Sequence, residues 1–153
     1  MARGFARPGG NVTGNTVIQQ ELDGKRLQLL HELLPAARRM AIIVASGAPA
    51  LHERLEAAAA LAQSFGVTLV PRPVSFVSGV AGIDAAVAAS AREKDDAMFL
   101  QLNPVLSENR RHVIDLIARN RLPAMYEIRE FAVDGGLLSY GPVIRYYFEA
   151  PRR

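Results

Sequence analysis

Short, nearly uninterrupted apolar runs alternate with segments of helical period along most of this chain. The runs at 40–46 and 97–102 contain almost no charged or strongly polar side chain, which is typical of parallel strands covered on both faces. Between them, residues 51–65 place Leu51, Leu55, Ala58, Ala62 and Phe65 on one helical stripe. Strands and helices that alternate every 25 to 30 residues or so indicate βαβ units.

This alternation predicts an α/β fold with an open, doubly wound parallel sheet of about five strands. Helices should cover both faces, and the strands should follow the flavodoxin-like order. Pro71 and Pro73 follow the apolar run 67–70, and their missing N–H groups predict that this strand lies at an edge. The other expected elements are a helix over 19–34 ended by Pro35, a helix over 80–94 that buries Ile83 and Val87, a helix that carries Val113, Leu116 and Ile117 inward and stops at Asn120, and a strand over 122–126.

Composition excludes several classes of protein. With 153 residues, half of them hydrophobic, the chain predicts a single domain over 1–153. The basic residues are scattered or next to acids, so the net charge of +3 does not indicate nucleic-acid binding. No uncharged stretch is apolar enough for a membrane helix.

Metal and covalent chemistry also lack candidates. The chain has no cysteine, which removes disulfides, thiolate metal ligands and a thiol nucleophile. The three histidines, His31, His52 and His112, lie on different predicted helices as solvated positions and should not share a metal ion. No serine lies in a Gly-x-Ser-x-Gly elbow. We therefore expect no metal, no cofactor and no catalytic residue.

The loops after the strands are the candidate binding residues, because ligands of such sheets lie outside the carboxyl ends of the strands. Ser46 and Gly47 offer a hydroxyl group and backbone amides beside a helix start, which suits a carboxylate, although an ordinary helix entry has the same sequence. The other loops are 75–76, 103–105 and 127–130.

An acidic cluster follows the last of these strands. Glu127, Glu130 and Asp134 surround Arg129, which is expected to keep the carboxylates ionised in an ion-paired loop. The alternative is a flavodoxin-like enzyme that uses the same loops, with Glu127 or Glu130 as a general base of raised pKa.

Two segments resemble a known family. Residues 6–14, Ala-Arg-Pro-Gly-Gly-Asn-Val-Thr-Gly, are similar to the segment that enters the second lobe of ABC-transporter substrate-binding proteins of the TrpX-like kind. Leu-Pro-Ala-Met-Tyr at 122–126, Arg-Glu-Phe at 129–131 and Gly-Gly-Leu-Leu-Ser-Tyr-Gly-Pro at 135–142 resemble its late signature. The resemblance covers residues 7 to about 147.

The resemblance implies a non-enzymatic, solute-binding function with the type 1 periplasmic binding protein fold. Members of the family have two α/β lobes joined by a hinge, close around a small ligand, and deliver it to a permease. This chain resembles the carboxy-terminal lobe, with 1–15 as a hinge-like entry segment and 142–153 as an atypical, truncated tail. We expect half of a cleft for an amino acid or small carboxylate.

The resemblance also implies which residues contact the solute. Asn103 replaces the aspartate that the family often has, which removes a charged partner for a ligand ammonium. Thr13 should lie near the hinge, and the remaining contacts should come from Ser46, Gly47, Asn103, Pro104, Tyr126 and Glu127.

Location and assembly follow from the two ends of the sequence. The family is periplasmic, but residues 1–10 have no apolar signal core, so the chain as written is expected in the cytoplasm. The run at 143–148 is apolar and aromatic and should be buried in a homodimer. A lobe remnant that acts only as an association module is the other alternative.

Overall fold

The computed structural model of the protein describes residues 19–48 and 51–142. Within these ranges the strands and helices alternate along the chain, as predicted. The elements are α1 (Gln19–Leu33), β1 (Arg39–Ala45), α2 (Leu51–Ser64), β2 (Thr68–Val74), α3 (Gly79–Arg92), β3 (Ala97–Leu100), α4 (Pro104–Glu108), α5 (Arg110–Arg119), β4 (Ala124–Tyr126), α6 (Arg129–Val133) and β5 (Leu138–Ser139).

The five strands form one sheet in the order β2-β1-β3-β4-β5, and every neighbouring pair is parallel. The flavodoxin-like order predicted from the sequence is therefore confirmed. The chain passes from β1 outward to β2, then crosses to β3 on the other side of β1 and continues to β5. The order reverses between β1 and β3, and all carboxyl ends of the strands lie along one edge of the sheet.

Two hydrophobic cores cover the two faces of the sheet. Met98 and Leu100 of β3 face a core that α3 and α5 cover, whereas Ala97 and Phe99 face the core beneath α1 and α2. Successive side chains of a strand point to opposite faces, and this strand is apolar on both. The continuous apolar pattern in the sequence therefore indicates a sheet that is buried on both faces.

The prolines of β2 lie at the edge of the sheet, as predicted. Thr68 donates a 2.8 Å hydrogen bond to the carbonyl oxygen of Arg38, on the β1 side. Pro71 and Pro73 have the opposite parity, so their ring nitrogens face the open side, where no ladder hydrogen bond is needed. This is why β2 extends to Val74 instead of ending before Pro71.

Four of the described helices, α2, α3, α5 and α6, are followed by a residue of positive φ two or three positions before the next strand; after α6 it is Gly135, with φ +109°. Gly66 after α2 has φ +75°, as its position predicts. Lys94 after α3 and Arg121 after α5 have φ +58° and +54°. The predicted stop at Asn120 is confirmed, since α5 ends at Arg119 with Asn120 as its C-cap. The left-handed turn itself is made by the next residue, Arg121.

The structure differs from the prediction in three local features. A separate short helix, α4, precedes α5, and the two are divided at Asn109. The loop expected over 127–130 instead leads into α6 at Arg129. Leu33 is largely exposed, although it continues the leucine spacing of α1, because the helix ends there.

Candidate functional site

The predicted ligand loops come together at the carboxyl edge of the sheet. Ile43 of β1 pairs with Leu100 of β3, so Ser46 and Asn103, each three residues further along, follow from the same level of neighbouring strands. Ligands of open α/β sheets bind in the crevice where the strand order reverses. In this sheet the reversal lies between β1 and β3, directly below these two loops.

The Ser46–Gly47 turn is the open side of this crevice. The backbone N–H of Ser46 donates a 2.9 Å hydrogen bond to the carbonyl oxygen of Val74, which fixes the end of β1 against β2. Gly47 then turns with φ +80°, and a Cβ at this position would meet no atom of the described residues within 4 Å. The turn requires left-handed backbone, and it leaves space beside the Ser46 side chain.

Asn103 and Pro104 form the start of α4. The side-chain oxygen of Asn103 accepts a 3.0 Å hydrogen bond from the N–H of Leu106, and Pro104 occupies the first turn, which is a standard N-cap arrangement. The Asn103 side chain is buried, and its Nδ2 atom has no partner among the described residues. A buried amide group without an acceptor is costly, so Asn103 retains an unused donor at the crevice.

Tyr126 lies in the core below the loops. Its ring is buried and stacks on Phe131, with centroids 4.6 Å apart. It also lines a small pocket of about 160 Å³ on the face of the sheet covered by α5. Burial raises the pKa of the Tyr126 phenol well above its ordinary value. The structure thus gives Tyr126 a packing role, and its contact with a solute stays a prediction.

Glu127 is buried, and both of its oxygen atoms have partners. Oε1 lies 3.1 Å from Nη1 of Arg26, and Oε2 accepts a 2.8 Å hydrogen bond from the backbone N–H of Leu102. The expectation that Arg129 would keep this carboxylate ionised is wrong. Burial raises the pKa of Glu127 to about 7, although Arg26 and the Leu102 hydrogen bond oppose this.

The rest of the predicted acidic cluster is also partnered differently. Asp134 forms an ion pair with Arg110 of α5 at 2.5 Å, and Arg129 has no ion pair within the described ranges. Oε2 of Glu130 is buried without a hydrogen-bond partner in the same ranges. The three acids therefore have separate surroundings and do not form a catalytic carboxylate pair.

Asp23 is the centre of a buried charge network that the sequence analysis missed. Its Oδ1 accepts from Arg26 at 2.7 Å, and its Oδ2 accepts from Arg54 at 2.9 Å and from Gln101 at 3.0 Å. Asp23 and Arg26 lie on the stripe of α1 that also carries Leu27 and Leu30. An acid and a base within an apolar helical stripe were the signal in the sequence, because charges at such positions are buried only when they are paired.

The loop after β2 presents apolar side chains to solvent at the same edge of the sheet. Phe76 is 58% exposed and Val77 is 99% exposed. Ser75 and Ser78 hold the turn, since the Ser78 N–H donates to Oγ of Ser75 at 3.0 Å and Oγ of Ser78 donates to the Ser75 carbonyl at 2.9 Å. Phe76 is therefore displayed on a fixed turn at the rim of the crevice.

The predicted contact Thr13 lies outside the described residues, as does the run at 143–148. In the ranges that are described, no three acidic or histidine side chains come together as a metal site would require. His52 and His112 are exposed, but His31 stacks on Phe65 and has a buried Nδ1, which corrects its expected solvation. Within these ranges, no helix has the length and hydrophobicity needed to cross a bilayer.

Comparison with known proteins relates this chain to transport proteins. A family model described as ABC transporter substrate binding protein matches residues 1–147. No curated protein matches the chain.

Solved structures share the fold. An ABC domain from Streptococcus pneumonia in complex with L-Trp has 18% identity and a TM-score of 0.70, over 92% of this chain and 47% of that one. A conserved domain protein from Vibrio cholerae has 18% identity and a TM-score of 0.66, over 78% and 39%. An open, ligand-free substrate-binding protein with adhesive properties from Clostridium difficile has 16% identity and a TM-score of 0.62, over 89% and 44%. The chain therefore spans less than half the length of each of these structures.

Proposed function

The chain belongs to the ABC transporter substrate-binding protein family, and we propose that it forms one lobe of such a protein and supplies half of a small-molecule cleft. The family consists of binding proteins and not of enzymes. Membership of the family implies that the protein partner is the permease of the transporter. It also implies that the solute is bound in the periplasm, where the family works.

The relation between Ser46 and Asn103 is the observation that carries this proposal. Both follow from the same level of adjacent strands, at the place where the strand order reverses. On one side, the Ser46–Gly47 turn leaves open space. On the other, the amide group of Asn103 is a donor that finds no acceptor in the described part of the chain. A solute that accepts hydrogen bonds would satisfy that donor.

The charges at this edge favour a small carboxylate or another acceptor-rich solute over an amine. The carboxylates of Asp23 and Glu127 are buried and already engaged by Arg26, with Arg54 also on Asp23. Neither is available to an ammonium group of a ligand. Ser46 offers a hydroxyl, Gly47 a backbone amide and Asn103 a side-chain amide, all of which donate to oxygen atoms.

The structure from Streptococcus pneumonia was obtained with L-Trp, so an amino acid is the reference ligand for any test of this chain. An amino acid would direct its carboxylate toward the Asn103 donor. Its ammonium group would need a partner from outside the described residues. We therefore expect simple carboxylates to bind at least as well as the corresponding amino acids.

Calorimetry with a panel of amino acids and small carboxylates tests the half-cleft. One lobe covers a ligand from one side only, so the dissociation constants should lie in the micromolar-to-millimolar range, corresponding to about −8 to −4 kcal/mol. A ligand of nanomolar affinity would contradict the half-cleft.

Asn103→Asp is the sharpest variant for this site. Aspartate is an equally good N-cap, so α4 should persist, while the donor becomes an acceptor that repels carboxylates. We expect at least about a tenfold loss of affinity, since a hydrogen bond to a charged group contributes about 1.5–3 kcal/mol. Asn109→Asp, at the start of α5, is the matched control. Equal affinity of both variants for the panel would exclude Asn103 from the site.

A further inference from the structure

Glu127 connects the two parts of the chain that meet at the carboxyl edge. Its Oε2 accepts a 2.8 Å hydrogen bond from the N–H of Leu102, the residue immediately before Asn103. Its Oε1 lies 3.1 Å from Nη1 of Arg26. One buried carboxylate therefore contacts both the loop that follows β3 and the arginine of α1.

Arg26 extends this connection to the chain that leaves β5. Its Nε donates a 2.7 Å hydrogen bond to the carbonyl oxygen of Tyr140. At the next residue, Gly141, a Cβ would overlap the carbonyl oxygen of Glu127 and come within 3.0 Å of Nη2 of Arg26. The segment after β5 thus runs in direct contact with the Arg26–Glu127 pair, and only glycine fits there.

We propose that Glu127 is a positioning residue whose protonation state couples the loop after β3, which carries Asn103, to the segment after β5. Its effect on solute binding rests on the function proposed above. The coupling itself concerns only residues of this chain.

The surroundings of Glu127 explain why its carboxyl group should change protonation state near neutral pH. Arg26 of α1 and Arg54 of α2 favour the carboxylate, as does the Leu102 N–H, whereas Asp23 of α1 opposes it. Desolvation outweighs the favourable contacts and raises the pKa of Glu127 to about 7. The pair is therefore charged above neutral pH and loses the charge of Glu127 below it.

Protonation changes both contacts at once. A neutral carboxyl group is a weaker acceptor for the Leu102 N–H, because hydrogen bonds to charged acceptors are about twice as strong. It also removes the ionic attraction that holds Arg26 beside Glu127, and Arg26 can then turn fully toward Asp23, 2.7 Å away. The β3 loop and the segment after β5 should loosen together.

Nuclear magnetic resonance of the ligand-free chain tests this coupling. Between pH 5 and 9, the backbone amide signals of Leu102 and Gly141 should shift with one common midpoint of about 7. The carboxyl carbon of Glu127, labelled with carbon-13, should have the same midpoint, and this measurement needs no variant. Different midpoints for the two amides, or a Glu127 carboxyl that titrates below about pH 5, would overturn the proposal.

Glu127→Gln provides the second arm, because glutamine mimics the protonated side chain. Both amide titrations should disappear, and the signals should remain at their acid positions throughout. Asp134→Asn is the matched control, since it removes a different ion pair, with Arg110, and should leave the titrations intact. Persistence of either titration in Glu127→Gln would contradict the proposed role.

These experiments contain no solute, so they are independent of the half-cleft. If the amides titrate together but no solute binds, the coupling stands and the proposed function fails. If a carboxylate binds through Asn103, its affinity should decrease as the pH is lowered, with the same midpoint as the amide signals. If a solute binds with an affinity that does not depend on pH, Glu127 has no role in solute binding.

Discussion

The Nε atom of Arg26 donates a 2.7 Å hydrogen bond to the carbonyl oxygen of Tyr140, across a sequence separation of 114 residues. The guanidinium group is fully buried, lies 5.9 Å from the centre of the Phe99 ring, and also pairs with Asp23 and Glu127. One side chain therefore joins the first described helix to the segment that follows the last described strand.

Replacement of Arg26 by Met should strongly destabilise the protein. The variant keeps the apolar stem but leaves two buried carboxylates with less compensation, and the loss of one member of a buried pair costs about 3–5 kcal/mol. Urea unfolding followed by circular dichroism measures this. Lys25→Ala, on the neighbouring exposed position, should change the free energy of unfolding by no more than about 0.5 kcal/mol. Similar midpoints for both variants would show that the network contributes little.

The free energy of unfolding should depend on the titration of Glu127. Its pKa rises from 4.5 to about 7 on folding, so the folded state holds the proton more tightly. Its contribution is fully present below pH 4.5 and is lost as the pH rises to about 7, a change on the order of 3 kcal/mol. The free energy of unfolding of the wild type, minus that of Glu127→Gln, should therefore decrease as the pH rises through this window. A constant difference between pH 4.5 and 8 would contradict the raised pKa.

Gly141→Ala should disturb the same region by steric overlap. The added methyl group would meet the backbone carbonyl oxygen of Glu127, and overpacking of this kind costs about 1–3 kcal/mol. Gly24→Ala is the comparison, because its nearest atom is the movable end of Leu61 at 2.9 Å and alanine is favoured within a helix. Thermal unfolding should show a loss for the first variant only. Equal melting temperatures would argue against a tight passage at Gly141.

Self-association should depend on residues 143–148, whose side chains are mainly apolar or aromatic. Close to this run in sequence, Leu137 and Tyr140 expose large parts of their side chains, and a second copy of the chain would cover such groups. Light scattering should show a dimer for the full chain and a monomer after truncation following Pro142. A full chain that is monomeric at all concentrations would exclude this interface.

The sheet could be predicted from the sequence because its signals are local. The apolar runs of β1 and β3 are buried on both faces, and the prolines of β2 allow only an edge position. The carboxyl-edge loops then follow from the parallel order. Arg121 had no comparable signal, because its left-handed turn after α5 is imposed by the need to re-enter the sheet and not by its own preference.

The buried charge network could not be predicted to the same extent. Glu127 lies among acidic residues and one arginine in the sequence, so Arg129 was the obvious partner. Its real partner, Arg26, is 101 positions away and reaches it because α1 packs over β3 and β4. Pairing at such separations depends on the tertiary arrangement, which neither spacing nor composition determines.

The two prolines of β2 determine at which border the sheet can gain a further strand. A strand offered from another molecule would find the outward positions Pro71 and Pro73 unable to donate, so this border resists augmentation. At the opposite border, β5 consists of Leu138–Ser139 and pairs with β4. Among the described residues β5 is the other edge strand, so a peptide or engineered strand intended to complement this fold should be directed beside β5.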